Sequence, residues 1–191
     1  MKMNKLILLV LFISLYISTS AQTINKGDFA INTSVDNVLG RYNIGGEYFF
    51  AKSKNDSLKI KSVFSVFANV GITKMHVKSA LLTGTSINTE LWWYSPIFFK
   101  PSWNEFIALK LDIGNYSWNQ TSVKGSFIGL SEGVQRKLVG NLYVFIQSQM
   151  GFYNNMPSLL GPLFSDNDAV FVSQFGFGGN IGLTFFIGKK K

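Results

Sequence analysis

Hydrophobic positions recur at every second residue along most of this chain. In Ala169 to Ile187 the odd positions include Phe171, Phe175, Phe177, Ile181, Leu183, Phe185 and Ile187, and the even ones Gln174, Gly176, Gly178, Asn180, Gly182 and Thr184. A period of two with unlike faces defines a β-strand. This run exceeds the usual globular strand and is ample for the roughly nine to eleven tilted residues that cross a bilayer.

The same pattern predicts seven earlier strands. Phe29, Ile31, Thr33 and Val35 alternate with Ala30, Asn32, Ser34 and Asp36 between Gly27 and Val38. After a tight turn at Asn37 to Gly40, the segment Arg41 to Ala51 sets Tyr42, Ile44, Gly46, Tyr48 and Phe50 against Asn43, Gly45 and Glu47. A polar turn over Lys52 to Ser57 leads into a third strand, Leu58 to Lys74, whose polar face is interrupted by Val63 and Phe67. A loop from His76 to Gly84 then precedes a fourth strand, with Ile87, Thr89, Leu91 and Trp93 opposite Asn88, Glu90 and Trp92. Pro96 cannot donate a ladder hydrogen bond, so the strand is expected to bend or end near it.

The fifth strand sets Ile107, Leu109, Leu111 and Ile113 against Ala108, Lys110 and Asp112, and Gly114 to Gln120 forms a loop rim. In the sixth, Thr121 to Lys137, Val123 and Phe127 share one parity while Ile128, Leu130 and Val134 share the other, so a bulge near Gly129 or Gly133 is expected to switch register. In the seventh, Leu142, Val144, Ile146, Met150 and Phe152 oppose Gln147, Gln149 and Gly151, before a long loop, Asn154 to Asp168.

Eight strands, alternating short and longer connections, and both ends on one side describe an all-β fold: an eight-stranded antiparallel up-and-down transmembrane β-barrel. Alternation alone leaves open which face meets lipid. A soluble barrel would instead turn its oily face inward around an apolar ligand. Three features favour lipid outside. The polar faces carry charges of both signs, which a narrow eight-stranded interior can pair. Glycines on the last strand suit a crowded lumen. Aromatics gather near strand ends, as interfacial girdles do. The expected lumen network is Glu47, Glu90, Lys110, Asp112, Gln147, Gln149 and Gln174; the expected interfacial aromatics are Trp92, Trp93, Tyr94, Trp103, Tyr116, Trp118 and Tyr143.

Composition adds export. Lys2 and Lys5, the apolar run Leu6 to Ile17 and the small residues Thr19, Ser20 and Ala21 read as a signal peptide over residues 1–21, with the barrel over 22–191 and a mature start near Gln22. No later stretch approaches the length of a transmembrane helix, so any span must be made of strands. The chain has no cysteine, which removes disulfides, thiol nucleophiles and zinc-thiolate sites. Its formal net charge of +8 falls to about +6 without Lys2 and Lys5. Scattered as it is, that charge gives no nucleic-acid footprint and suits anionic lipid or lipopolysaccharide head groups.

On these residues the chain resembles the small outer-membrane β-barrel families of Bacteroidota, which are similar to OmpX and the OmpA transmembrane domain. The matching features are Ala21-Gln22, Gly46-Glu47-Tyr48-Phe49-Phe50, Gly140-Asn141-Leu142-Tyr143-Val144, and the closing Gly182-Leu183-Thr184-Phe185-Phe186-Ile187-Gly188-Lys189. The C-terminus departs from the enterobacterial pattern, because lysines follow the last aromatic residue. The resemblance implies outer-membrane localisation, insertion by the barrel-assembly machinery, and no catalytic residue or cofactor.

The chemistry-bearing residues are few. His76, the sole histidine, lies near Ser79 and could centre a lipid A-modifying triad, but no His-x-Ser-Asn motif accompanies it. Asp166 and Asp168 are spaced for a shared calcium ion, although exposed acidic side chains are ordinarily solvated. Gly176-Phe177-Gly178-Gly179 precedes no helix and is no phosphate loop. The expected reading is a non-enzymatic, monomeric outer-membrane barrel with a filled lumen, acting structurally or through its loops on an unknown surface partner. Tyr116, Trp118, Leu159, Leu160, Leu163 and Phe164 are the apolar loop groups available for such a contact. The alternatives are the enzyme centred on His76 and a soluble periplasmic ligand-binding barrel.

Overall fold

Alternation is realised as eight antiparallel strands in a computed structural model, which describes residues 24–36, 40–55, 60–77, 80–94, 103–118, 120–157 and 171–187. The strands are β1 (Phe29–Asp36), β2 (Arg41–Asn55), β3 (Ile60–Val77), β4 (Ala80–Tyr94), β5 (Trp103–Trp118), β6 (Thr121–Val139), β7 (Leu142–Pro157) and β8 (Phe171–Ile187). Each pairs with its neighbour in sequence, and β1 pairs with β8 to close the barrel. The expected signal segment, the paired aspartates Asp166 and Asp168, and the apolar loop residues Leu159, Leu160, Leu163 and Phe164 lie outside the described residues.

The registers fix the geometry of closure. Stepping across from Ile187 through Phe29, Tyr48, Val66, Leu91, Leu109, Leu130 and Met150 returns to β8 at Phe177, ten residues from the start. A stagger of that size over eight strands tilts them by about 40° and leaves an interior just wide enough for side chains to fill. One end, here called proximal, holds the start of β1, the end of β8 and the β2–β3, β4–β5 and β6–β7 connections. The distal end holds the other four connections, β1–β2, β3–β4, β5–β6 and β7–β8.

Side chains sort by parity. Leu109 is 53% exposed and Asp112 1%. Phe175 and Leu183 also face out, and Gln147 faces in. The outward row of β8, from Ile187 to Phe175, covers about 30 Å of depth at that tilt. A continuous exposed apolar belt thus encircles a buried polar interior, the inverse of a soluble globule.

The strands run further than the sequence pattern indicates. β2 continues through Lys52 to Asn55, β3 passes His76, and β4 begins at Ala80, so the expected His76 to Gly84 loop is largely strand. β5 likewise runs through Trp118 in place of a loop rim, and β7 extends to Pro157. These extensions are satisfied by cross-strand hydrogen bonds and need no apolar face, so periodicity does not mark them. β6 keeps one parity past Gly129 and Gly133, and its irregularity falls between Lys137 and Val139. Phe127 faces inward, which explains the mixed signal: an apolar residue there fills the lumen and leaves the register unchanged. Between Val139 and Leu142 the two-residue Gly140-Asn141 turn uses a left-handed Gly140, at φ 54°.

Candidate functional site

The interior is built in three tiers. At the proximal end an aromatic tier packs Phe49, Phe67, Trp92, Tyr94, Phe106, Tyr143, Phe145 and Phe186 into one buried cluster. Trp92 stacks on Phe106 with centroids 3.9 Å apart, and Phe49 on Phe186 at 5.4 Å. Ile24, just before β1, is buried in the same cluster, and Gly27 N donates to Phe49 O at 2.7 Å. The segment leading into β1 therefore folds across the proximal mouth.

The middle tier is polar. Glu90 on β4 collects donors from three strands: Asn88 Nδ2 at 3.0 Å and Trp92 Nε1 at 2.8 Å on its own strand, Gln147 Nε2 at 2.7 Å on β7, and Lys110 Nζ at 3.4 Å on β5. Lys110 also donates to Gln149 Oε1 at 2.8 Å, and Gln149 Nε2 donates to the Tyr153 hydroxyl. Glu47 accepts from Ser65 Oγ at 2.5 Å, Tyr94 OH at 2.9 Å and Asn32 Nδ2 at 3.2 Å, with no cation among its partners in the described residues. Buried charges demand this degree of satisfaction, because an unpaired one costs several kcal/mol, on the order of the whole stability of a small domain.

Near the distal end Arg41 ties β1, β2, β4 and β5 together. Its guanidinium pairs with Asp112, lies 3.5 Å from Asp36 Oδ2, and donates to Ser86 Oγ at 2.8 Å. Glycine makes room for these groups. A Cβ on Gly178 would lie 2.7 Å from Gln149 Nε2, and one on Gly182 2.3 Å from Thr33 O and 2.5 Å from the Phe145 ring.

Six of the residues expected in the lumen, Glu47, Glu90, Lys110, Asp112, Gln147 and Gln149, are buried inside. The seventh, Gln174, pairs through its backbone with Tyr153, and its side chain lies outside the described residues. Sequence reasoning missed Arg41, Asp36 and Ser86, which parity places on the inward rows of β1, β2 and β4. The aromatic assignments need correction. Trp92, Tyr94, Tyr116 and Tyr143 are buried within the barrel, not at an interface. Residue type cannot distinguish girdle from plug; parity can, and Trp92 sits opposite in parity to the outward Leu91 and Trp93. Trp93 faces out, Trp103 and Trp118 are half-buried, and Arg136 lies 5.1 Å over the Trp103 ring.

His76 stands exposed on distal β3, opposite Leu81, and Ser79 lies outside the described residues. No carboxylate or hydroxyl among the described residues bonds it, and no cluster of three metal-ligating side chains occurs among them. No helix among the described residues is long and apolar enough to cross a membrane, which says nothing of strands. The described interior binds its own charged and amide groups to one another.

No protein-family model matches the chain, and no curated protein matches it. Among solved structures, the N-terminal β-barrel domain of Pseudomonas aeruginosa OprF superposes with a TM-score of 0.52 at 9% identity, covering 85% of this chain and 98% of that domain. Neisserial surface protein A gives a TM-score of 0.44 at 13% identity, over 83% and 92% of the two chains. At such identity the OprF likeness establishes the fold: this chain is a closed, eight-stranded, all-antiparallel β-barrel.

Proposed function

We propose that the protein is an integral outer-membrane barrel with a side-chain-filled lumen, non-enzymatic, serving as a structural or surface-interaction element of a bacterial envelope. The observation that carries this reading is the inversion of the barrel: an exposed apolar belt outside, and a bonded charged network inside. In water that belt would cost roughly 25 cal/mol per Å² of apolar surface left exposed, whereas a bilayer core of about 30 Å accepts it. The interior supports the reading independently. A ligand-binding barrel needs an apolar cavity, but the middle tier is filled by Glu90, Lys110, Gln147 and Gln149 bonded to one another.

With the proximal end towards the periplasm, as in barrels whose termini stay inside, the cleaved signal would leave Ile24 close to its seat beneath the aromatic tier. The distal rim, carrying His76, Lys74 and Lys124, would face outward towards lipopolysaccharide. Cell fractionation with and without boiling before electrophoresis tests the proposal. The protein should sediment with outer membranes and migrate faster unheated than heated. Recovery in the osmotic-shock fluid would exclude it.

A further inference from the structure

Among the described residues, one acidic side chain stands exposed within the barrel's outward apolar belt. Glu132 on β6 is exposed and outward, between the outward Leu130 and Val134, while its neighbour Ser131 is buried inside. Its one bonded partner among the described residues is Ser148 on β7, whose Oγ donates at 3.4 Å. The cross-strand row through this pair runs Ile107, Glu132, Ser148, Gly179, so the β8 position beside it has no side chain. The result is a notch of about 280 Å³ walled by Ile107, Leu130, Met150 and Phe177, with Glu132 and Ser148 on its floor.

Depth makes the notch informative. Along β7 the outward row reads Val144, Ile146, Ser148, Met150, Phe152, so Ser148 has two apolar positions on each side. At the strand tilt that is about 10 Å of apolar surface in either direction. If the barrel spans a membrane, which this inference takes from the reading above, Glu132 sits near the bilayer midplane. A charged residue there is expensive and is retained where something pairs with it.

Depth and charge then select the occupant. Lipid offers only methylenes at that level, so a head group cannot complement the carboxylate. A second copy of this chain is no better. Among the described residues its outward lysines Lys74 and Lys124 lie at the distal end and Arg136 lies at the proximal end over the Trp103 ring, and a two-fold contact here would set carboxylate against carboxylate. We propose that the Glu132–Ser148 notch is an intramembrane docking site for a lysine or arginine side chain on the lipid-facing surface of a second integral membrane protein. The notch takes one long side chain: its aliphatic stem against Met150 and Phe177, its head on Glu132 with Ser148 as a second acceptor.

The test uses the full chain in its native membrane, with a photo-reactive amino acid replacing Met150 at the notch or Ile44 on the opposite wall. Fractionation is scored first, so failure of the membrane reading is seen separately, as loss of the protein from the membrane fraction. With the barrel in place, the Met150 probe should give a protein adduct whose cross-linked site lies beside a lysine or arginine, and the Ile44 probe none. Glu132→Gln should lower that adduct at least about tenfold, Glu132→Asp should retain much of it, and Glu132→Lys should restore it only when the partner's basic residue is changed to Glu. Lipid adducts alone, an adduct with a second copy, or a yield indifferent to Glu132→Gln would each overturn the proposal.

Discussion

Arg41 shows how much one residue carries when both its neighbours are buried acids. It bonds Asp112, Asp36 and Ser86 across four strands, and its side chain is fully buried. Replacing it with methionine keeps the bulk but removes the guanidinium beside two carboxylates in a low-dielectric interior. We expect the purified barrel in lipid vesicles to lose about 3–5 kcal/mol of unfolding free energy, read from urea titration. Substituting Asp112 in the same background should recover part of that loss, since it removes one of the two carboxylates that lost the guanidinium; an additive double mutant would show the two groups are uncoupled. Glu132 predicts the opposite sign. In vesicles without a partner, Glu132→Leu should stabilise the barrel by about 1–2 kcal/mol, because it replaces a lipid-facing carboxylate with hydrocarbon. The sequence shows both residues but ranks neither. Arg41 reads as the charged edge of a turn after Gly40, and Glu132 as noise in the least regular strand, because charge alone does not reveal what lies across the barrel.

At the scale of the strand, parity is the legible quantity and length is not. Leu109 and Asp112 on β5 are correctly faced by alternation alone, as are Ile181 and Asn180 on β8, since a slip of one residue would turn every side chain over. The distal halves of β3, β4 and β5 are illegible because Lys74, Thr83 and Ser117 stand outward where no apolar face is required. This difference along a single strand can be measured. Leu109→Arg, in the centre of the apolar belt, should cost about 2–4 kcal/mol in vesicle unfolding, whereas Ser117→Arg near the distal end of the same strand should cost about 0–1 kcal/mol. Equal costs would mean that β5 does not cross a hydrocarbon layer. The same reasoning explains the misplaced aromatics: Trp92 and Tyr143 share composition and strand-end position with a girdle, and only their even or odd place in the strand sends them inward.

For the whole molecule, eight strands with a stagger of ten leave the lumen no room to spare, and the tiers divide that space between them. The aromatic tier closes the proximal mouth, with Trp92 stacked on Phe106 and edge-on to Phe145 at 6.1 Å, while the Glu90 and Arg41 networks bond one wall to another above it. An ion entering from the distal side would have to break charge-assisted hydrogen bonds and then displace stacked rings whose few polar atoms include the Trp92 indole and the Tyr94 hydroxyl, already bonded to Glu90 and Glu47. The wild-type barrel in a planar bilayer should therefore show no steady open channel. Trp92→Ala with Phe145→Ala removes the rings that meet at the centre of the proximal tier while leaving both charge networks their acid and base partners, apart from the indole donor to Glu90. In samples still heat-modifiable on gels, this variant should conduct in brief openings, because the seal is lost but the polar tier above it persists. A large, steady wild-type conductance would show that the rings and the Glu90 network move aside together, and the barrel would then have to be understood as a gated pore.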